Sequence, residues 1–334
     1  MKQQLARWLE KVWYQDPATG RWMVPLGLVY RSISQFRRFL YFAGVLKRHN
    51  LPVPVIVVGN ITVGGTGKTP LIIWLAQWLK ANGFKPGIIS RGYGGRAETW
   101  PQRVAPDSDV KRVGDEALVI AKHAGCPIAV GPVRVEAAES LLKHEHCDVI
   151  LSDDGLQHYA MARDIEIAVV DGERLFGNGR CLPAGPLREP RDRISKVDFV
   201  VVNGPRTEAG QFSMHLDGHS AVNLVSGEVK PLPAFAMTRC HAVAGIGNPG
   251  RFFKLLEAAG ITFKAHTFPD HYAFQADDIA FNAEPVLMTE KDAVKCTAFA
   301  TNTHWYVPVG ATVEPGFADQ LLYLLREKTW IKNC

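Results

Sequence analysis

The sequence has 334 residues, of which 47% are hydrophobic and 21% are charged, and this composition excludes disorder as the main state. The length suggests two domains, although one domain with a large insertion also fits. The 6 cysteines occur singly, so neither a zinc ribbon nor a disulfide framework is indicated, and a reducing cytosolic compartment fits best. No apolar run reaches the roughly 18 residues that span a bilayer and no signal peptide is evident, so neither secretion nor membrane insertion is predicted.

Residues 1–50 hold the positive charge of the chain. They carry nine lysines and arginines against two acidic residues, a net charge of +7, whereas the whole chain has +5 and the other 284 residues therefore have −2. A basic coat suited to nucleic acid is thus not present. Apolar residues recur with helical spacing over 5–13 and 26–40, which predicts two amphipathic helices. Basic helices of this kind suit an anionic membrane interface, and the alternative is that they pack on their own domain.

From residue 53 onward, short apolar runs alternate with helix-like segments. Over residues 51–208 this alternation predicts an α/β fold with a mostly parallel sheet and helices on both faces. Two short alternating runs on either side of Asp217-Gly218 predict a β-hairpin connector over residues 209–236. A second set of apolar runs and helical segments predicts a smaller C-terminal α/β domain over residues 237–334.

A glycine-rich loop follows the first apolar run and opens an apolar helix. Its glycines let backbone N–H groups turn toward a phosphate, and the helix N-terminus adds its positive dipole. Lys68 is expected to reach the β- and γ-phosphates of a nucleotide and Thr69 to ligate Mg²⁺. Thr62 stands where the general motif has its first glycine, and a plain glycine-rich turn is the alternative. The expected nucleotide-binding residues are Thr62, Val63, Gly64, Gly65, Thr66, Gly67, Lys68 and Thr69.

A second apolar run ends in two acids, Asp153 and Asp154. In P-loop enzymes an acid at the end of such a strand contacts Mg²⁺ directly or through water. Two adjacent carboxylates are also costly unless a cation lies nearby. We therefore expect a magnesium site here, with a polar turn as the alternative, and the spacing does not decide which of the two acids touches the metal.

Two further patterns are discounted. Residues 245–250 match G-x-G-x-x-G after an apolar run, but no clear acid-ended strand follows about 20 residues on, so nicotinamide binding is disfavoured. Residues 144–148 contain His, Glu and Cys, but their spacing suits neither a zincin nor a zinc finger. The run that ends at Asn203 continues into Gly-Pro, which disfavours guanine binding.

The motifs together resemble the tetraacyldisaccharide 4′-kinase family of P-loop kinases, whose loop is similar at Thr62. They occur in order at residues 57–70, 90–95, 113–116, 153–158, 183–190, 245–249, 268–271 and 288–292. The resemblance implies transfer of the γ-phosphoryl group of ATP to the 4′-hydroxyl of tetraacyldisaccharide 1-phosphate. It also implies a peripheral protein at the cytoplasmic face of the bacterial inner membrane, and so favours the membrane interface as the place of residues 1–50.

The resemblance also implies catalytic residues outside the glycine-rich loop. Asp115 matches the base of the family, and His271 matches the histidine that pairs with it. A sugar hydroxyl is a poor nucleophile at neutral pH, so a base must accept its proton. Without the resemblance, Asp115 is better explained as a helix N-cap and His271 as a packing residue.

Three more residues complete the expected site. Arg188 can supply a second cation beside Lys68, with Glu189 as its neighbour or as a metal contact, and the alternative is that the two merely pair on the surface. Arg91 is expected to meet the anionic 1-phosphate of the lipid.

The main alternative function is a membrane-recruited P-loop ATPase switch. Such switches place a lysine just before the Gly-Gly of the loop, where this chain has Val63. A third hypothesis is a nucleotide sensor without catalysis, in which loss of Asp115 would have no chemical effect. The expected cofactors are ATP and Mg²⁺, and the expected partners are the lipid substrate and an anionic membrane surface. Neither nucleic acid nor an obligate protein partner is expected.

Overall fold

The computed structural model describes residues 2–333, apart from the side chains of residues 2–4, 6, 7 and 330–333, and places them in two β-sheets with helices. The strands are β1 (Val55–Gly59), β2 (Pro86–Ser90), β3 (Gln102–Arg103), β4 (Ile128–Val130), β5 (Val149–Asp153), β6 (Ile165–Asp171), β7 (Phe199–Asn203), β8 (Gln211–Asp217), β9 (Ser220–Asn223), β10 (Val229–Pro231), β11 (Cys240–Ala244), β12 (Phe263–Thr267), β13 (Val286–Thr289), β14 (His304–Val307) and β15 (Gly310–Val313). The α-helices are α1 (Lys2–Tyr14), α2 (Val24–Phe42), α3 (Lys68–Ala81), α4 (Val110–Val113), α5 (Asp115–Ala124), α6 (Arg134–His144), α7 (Pro249–Ala258), α8 (Glu290–Cys296) and α9 (Pro315–Asn333). Short 3₁₀ helices cover Arg21–Met23, Arg191–Lys196, Leu232–Phe235, Ala276–Asp278 and Thr297–Phe299.

The larger sheet carries the glycine-rich loop. Its order is β15-β8-β7-β6-β1-β5-β2-β4-β3, in which the strands from β8 to β4 are parallel and the two edge strands are antiparallel. Every residue of β1 is buried, because alternate side chains point to opposite faces and both faces are covered. Helices α3, α5 and α9 pack on one face and α6 on the other. The predicted mostly parallel sheet with helices on both faces is confirmed.

The smaller sheet forms a second α/β unit. Its order is β10-β9-β14-β13-β11-β12, with the four strands from β14 to β12 parallel and β9 and β10 antiparallel. Helix α7 covers one face through Phe252 and Leu256, and α8 covers the other through Ala293 and Cys296. The expected smaller α/β domain is therefore present.

The predicted hairpin across Asp217-Gly218 is wrong. β8 pairs with β7 and β15 in the larger sheet, whereas β9 pairs with β10 and β14 in the smaller one. Phe212 and Met214 of β8 are buried in the core of the larger sheet, and burial of large apolar side chains outweighs a local turn signal. Asp217-Gly218 marks instead the place where the chain crosses between the sheets.

The C-terminal boundary of the predicted second domain is also wrong, because the chain returns to the larger sheet. β15 is its edge strand, and Phe317, Leu321 and Leu325 of α9 lie in the larger core. The helical spacing of these side chains predicts a helix but does not tell which of two cores the helix joins.

The two predicted N-terminal helices are both present, and they differ in packing. In α1, Val12 and Trp13 are buried, and the Trp13 Nε1 donates a hydrogen bond to the Pro183 carbonyl at 3.0 Å. Helix α2 docks through Gly27, whose missing side chain lets the helix approach Cys181. No helix in the described part of the chain is long and apolar enough to cross a membrane. Much of α2 nevertheless exposes large apolar side chains, namely Leu26, Leu28, Val29, Ile33, Phe36, Phe39 and Phe42.

Candidate active site

The glycine-rich loop lies between the buried strand β1 and helix α3, as predicted. Gly64 and Gly67 have φ values of +109° and +95°, which a residue with a side chain rarely adopts. Lys68 is the first residue of α3, so its ammonium group and the positive end of the helix meet at one place. Residues 63–69 line a cleft, whereas Thr62 is buried behind them.

The cleft has a volume of about 1320 Å³ and lies between the two sheets. Its walls include the carboxyl ends of β2 and β5 from the larger sheet, and the loops at residues 246–249 and 267–271 from the smaller unit. Parallel strands present their carboxyl ends at one edge, which is where α/β proteins bind ligands. Residues from both units therefore face a ligand held by the glycine-rich loop.

Lys68 is held between two acceptors at this edge. Its Nζ lies 3.3 Å from the Asn60 Oδ1 and 3.5 Å from the Asp154 Oδ1. Arg188 Nη1 donates to both carboxylate oxygens of Asp154, at 3.0 and 2.9 Å. Burial acts to raise the pKa of Asp154, but the charges of Lys68 and Arg188 hold it well below its usual value. The structure thus brings the predicted residues Lys68, Asp154 and Arg188 together.

Asp153 is placed differently from its neighbour. It is 1% exposed, accepts a hydrogen bond from the Ser90 Oγ at 3.0 Å, and has no partner for its Oδ1 within the described residues. Burial, together with the nearby charges of Glu116 and Asp154, raises the pKa of Asp153 to about 6. A buried carboxylate oxygen without a donor fits a cation in the cleft, which Thr69 also lines. Mg²⁺ typically takes one or two carboxylates together with substrate phosphates.

The raised pKa of Asp153 makes the stability of the protein depend on pH. Between about pH 4 and pH 6 Asp153 is protonated to a larger extent in the folded state than in the unfolded chain, so its contribution to the free energy of unfolding falls as the pH rises. Relative to the wild type, we expect Asp153→Asn to be stabilised at pH 8 by on the order of 2 kcal/mol more than at pH 4. Thermal unfolding without nucleotide or magnesium measures this difference. Asp107→Asn, at an exposed position, controls for the change of charge, and an equal effect of Asp153→Asn at both pH values would contradict the raised pKa.

The predicted metal contact of Glu189 is corrected by the structure. Glu189 is 2% exposed, and its carboxylate accepts hydrogen bonds from the Tyr159 hydroxyl and from the Gln157 Nε2. The Arg193 Nε lies 3.5 Å from the same carboxylate. With both oxygens occupied in this way, Glu189 anchors the loop that carries Arg188 and is not presented to the cleft.

Asp115 and His271 meet from the two units. Asp115 begins α5, His271 follows β12, and the His271 Nδ1 lies 3.0 and 3.1 Å from the two carboxylate oxygens of Asp115. Gly114 is the residue that caps α5, so Asp115 is not the N-cap that its sequence context also allowed. His271 lines the cleft, and Asp115 lies behind it with 4% of its surface exposed. We call these two residues the Asp115–His271 dyad.

Two lysines add positive charge to the dyad. The Lys295 Nζ lies 3.7 Å from Asp115, and the Lys291 Nζ lies 3.5 Å from the His271 Nε2 and 3.0 Å from Glu116. Burial acts to raise the pKa of Asp115, but the hydrogen bond with His271 and the two lysine charges lower it overall. The Asp115 carboxylate is therefore ionised at neutral pH, as a proton acceptor must be.

Sequence reasoning did not single out these neighbours. Glu116 and Lys291 lie inside the motifs at 113–116 and 288–292, so the resemblance marked their positions without giving them roles. Lys295 carries no sequence signal, because it reaches the dyad only through the packing of α8 against α5.

Arg91 lines the cleft together with other basic groups. Arg134 is 6% exposed, and its Nη2 donates to the carbonyl oxygens of Asp153 and Asp154 at 3.1 and 2.7 Å. Burial and nearby arginines, of which Arg134 contributes most, lower the pKa of His158 to about 4. The charges of Arg134, Arg163, Arg37 and Arg91 all act on His158 in this direction, so this wall of the cleft carries positive charge and attracts anions.

Comparison with known proteins agrees with this geometry. Residues 19–326 match the family described as tetraacyldisaccharide-1-P 4′-kinase. A tetraacyldisaccharide 4′-kinase of Nitrosococcus oceani is 52% identical over 318 residues, which cover 95% of this chain and 94% of the relative. One of Alkalilimnicola ehrlichii is 49% identical over 326 residues, which cover 94% and 95%. The crystal structure of LpxK from Aquifex aeolicus in complex with ATP superposes with a TM-score of 0.76 at 28% identity, covering 92% of this chain and 99% of that one. In sequence along nearly its whole length and in fold, this chain belongs to the tetraacyldisaccharide 4′-kinase family.

Proposed function

We propose that this chain transfers the γ-phosphoryl group of ATP to the 4′-hydroxyl of tetraacyldisaccharide 1-phosphate, forming lipid IVA in lipid A biosynthesis. The observation that carries the proposal is the Asp115–His271 dyad in the wall of the same cleft as the glycine-rich loop. A phosphate-binding loop serves any nucleotide hydrolase or switch. A buried carboxylate paired with a histidine in a separate wall is the arrangement that activates an acceptor hydroxyl.

The transfer uses the residues of both units. As the sugar oxygen bonds to the γ-phosphorus, its proton passes to the Asp115–His271 dyad, and the bond from the γ-phosphorus to the β-phosphate oxygen breaks to leave ADP. Asp115 is the base, and the contact with His271 at 3.0 Å orients its carboxylate. Lys68 and Arg188 offset the negative charge on the phosphoryl oxygens, and Asp154 holds these two cations in place.

The residues that fit Mg²⁺ are Thr69, Asp153 and Asp154. Asp153 is the better of the two carboxylates, because its Oδ1 has no partner in the described structure whereas both oxygens of Asp154 accept from Arg188. Bound Mg²⁺ supplies charge neutralisation at the β- and γ-phosphates.

The basic wall beside the magnesium site suits the 1-phosphate of the lipid. Arg91 lies there with Arg134, and these two guanidinium groups give the wall the positive charge that an anionic group needs. We therefore assign Arg91 to the anionic end of the acceptor.

The lipid acceptor resides in a bilayer. The exposed side of α2 is the surface that contacts this bilayer, at the cytoplasmic face of the inner membrane. Ile33, Phe36 and Phe39 expose 63%, 61% and 62% of their surface to solvent although they are large and apolar. Basic residues of the same helix, at positions 31, 37 and 38, suit lipid phosphates. Helix α1 contributes less, because Val12 and Trp13 are buried against the protein.

Two charges on α2 are expected to weaken membrane binding without loss of stability. The double variant Ile33→Asp with Phe36→Asp loses the burial of two apolar side chains in the bilayer, which we expect to lower the partition coefficient by about 100-fold. Sedimentation with vesicles of phosphatidylglycerol and phosphatidylethanolamine measures it. Met237→Asp, at a residue that is 99% exposed in the smaller unit, is the matched control and is expected to bind as the wild type does. Equal binding of the double variant and the wild type would refute the role of α2.

The proposed activity is tested directly with radiolabelled ATP. Purified protein is incubated with Mg²⁺ and detergent-dispersed tetraacyldisaccharide 1-phosphate, and label is measured in the organic phase. Label in the lipid is the expected result. Release of free phosphate with unlabelled lipid would instead support the ATPase switch and overturn the kinase.

A further inference from the structure

The glycine motif rejected as a dinucleotide site lies against the phosphate-binding loop. Residues 245–250, here called the Gly247 loop, run from the end of β11 into the first turn of α7 in the smaller unit. A Cβ atom on Gly247 would stand 2.5 Å from the backbone nitrogen of Gly65 and 3.2 Å from the Cα of Gly64. The two loops therefore meet backbone to backbone. A displacement of the Gly247 loop would therefore also displace the phosphate-binding loop.

Three side chains hold the Gly247 loop in place. The Gly245 N–H donates to the Asp292 Oδ2 at 2.8 Å, within the smaller unit. The other two contacts come from the larger unit: Asp171 Oδ2 accepts from the Asn248 Nδ2 at 3.1 Å, and Arg174 Nη1 donates to the Gly247 carbonyl at 2.9 Å.

Arg174 also contacts the N-terminal helix. Its Nη1 lies 3.2 Å from the Glu10 Oε1, and its guanidinium stands over the Tyr14 ring with 5.1 Å to the centroid. Both partners belong to α1. One guanidinium group thus joins α1, the Gly247 loop and, through Gly247, the phosphate-binding loop.

We infer that Arg174 is a positioning residue that couples the docking of α1 to the affinity of the phosphate-binding loop for ATP. The inference rests on the proposed function only in that ATP occupies this loop. A planar guanidinium satisfies a carbonyl, a carboxylate and an aromatic face at once, which a lysine ammonium cannot do. Because α1 precedes the membrane-facing helix α2, this contact lets the state of the N-terminal region influence nucleotide binding.

The test compares KM for ATP with kcat in four variants. Arg174→Gln is expected to raise KM for ATP about fivefold while kcat stays within about twofold. Glu10→Gln removes the charged α1 partner of Arg174 and is expected to raise KM about twofold. Arg174→Lys should lie between Arg174→Gln and the wild type. Because the two side chains act in one link, combining Glu10→Gln with Arg174→Gln should add nothing to the effect of Arg174→Gln alone.

Two further measurements keep the result specific. Arg206→Gln breaks an ion pair of similar length, 3.3 Å to Glu314, away from the cleft, and is expected to leave KM unchanged. Gly247→Ala tests the contact between the loops themselves and is expected to weaken ATP binding by at least about tenfold, since the new methyl group cannot fit.

Nucleotide affinity is also measured without lipid, by the fluorescence of a labelled ATP analogue. An unchanged affinity in both Arg174→Gln and Glu10→Gln would overturn the inference, as would a loss of kcat in Arg174→Gln with KM unaltered. If the wild type binds the analogue but does not phosphorylate the lipid, the proposed function fails while the coupling is still tested by the affinities.

Discussion

Replacing Asp115 by asparagine is expected to lower kcat by at least about 100-fold, while KM for ATP changes by less than about twofold. Asparagine keeps the size of the side chain but cannot accept the proton of the sugar hydroxyl. The loss appears in kcat because the proton moves only in the transition state. We expect ATP binding to be spared, because the phosphates are expected at the glycine-rich loop, whereas Asp115 lies behind His271 in a separate wall of the cleft. Initial rates of lipid phosphorylation at varied ATP measure both constants.

Asp270→Asn is the matched control for this variant. Asp270 contacts Lys291 at 3.0 Å and lies 3.8 Å from His271, so its replacement removes a negative charge beside the dyad without removing the base. We expect less than about a tenfold effect on kcat. Equal losses in Asp115→Asn and Asp270→Asn would show that charge around the histidine, and not proton transfer, is what Asp115 supplies.

His271→Ala separates the two members of the dyad. His271 and the lysines hold the pKa of Asp115 below its usual value, so the wild-type carboxylate stays active until the pH falls below the ordinary range of an aspartate. Without His271, the pKa of Asp115 rises, because burial is then opposed only by the lysine charges. The acid limb of the pH profile of kcat should therefore move to higher pH. A larger loss of kcat in His271→Ala than in Asp115→Asn would instead make His271, the cleft-facing member, the group that takes the proton.

Replacing Lys68 by methionine is expected to reduce kcat/KM for ATP by about 1000-fold. The Lys68 side chain is 12% exposed, and its Nζ lies within 3.5 Å of Asn60 and Asp154, so the ammonium group is fixed where the phosphate oxygens are expected to bind. Methionine has a similar shape without the charge. Loss of the lysine charge removes stabilisation of the phosphoryl oxygens in the transition state. The Asp154 carboxylate keeps its contact with Arg188.

Lys80→Met provides the comparison on the same helix. Lys80 lies in the last turn of α3 and donates to the Gly125 carbonyl, far from the cleft, so we expect unchanged kinetics with at most a small loss of stability. Lysine-to-methionine variants that reduce kcat/KM equally at both positions would indicate a general effect on α3 rather than a contact with phosphate.

Much of the nucleotide site could be predicted from sequence because it is local. A buried strand, a glycine-rich turn and a helix that starts at Lys68 follow one another without interruption, and the backbone geometry of Gly64 and Gly67 is a property of those positions alone. Asp153 and Asp154 are predictable for the same reason, since the carboxyl ends of parallel strands share one edge of the sheet. The structure adds the difference between them, which comes from Ser90 on one side and Lys68 with Arg188 on the other.

The errors have a common physical cause. Asp217-Gly218 carries a turn signal, but the apolar side chains of β8 are buried in the core of the larger sheet. Burial against distant strands cannot be predicted from about ten neighbouring residues. Glu189 sits next to Arg188 in sequence, yet consecutive residues of an extended loop point in different directions, and Tyr159 and Gln157 bind its carboxylate.

The βα alternation, the phosphate-binding loop and the amphipathic N-terminal helices could be predicted from local sequence patterns, and the order of the motifs indicated the family. These features depend on spacing over a few residues, where periodicity and backbone conformation act. The pairing of His271 with Asp115, 156 residues apart, was implied by the resemblance, and the structure shows its geometry. Three other contacts could not be predicted from local patterns: Lys295 reaches Asp115, Arg174 links α1 to the Gly247 loop, and α9 returns to the larger sheet. Those contacts depend on which apolar faces pack together. Burial of apolar surface is not directional, so the packing partner of each face depends on all the apolar faces of the chain.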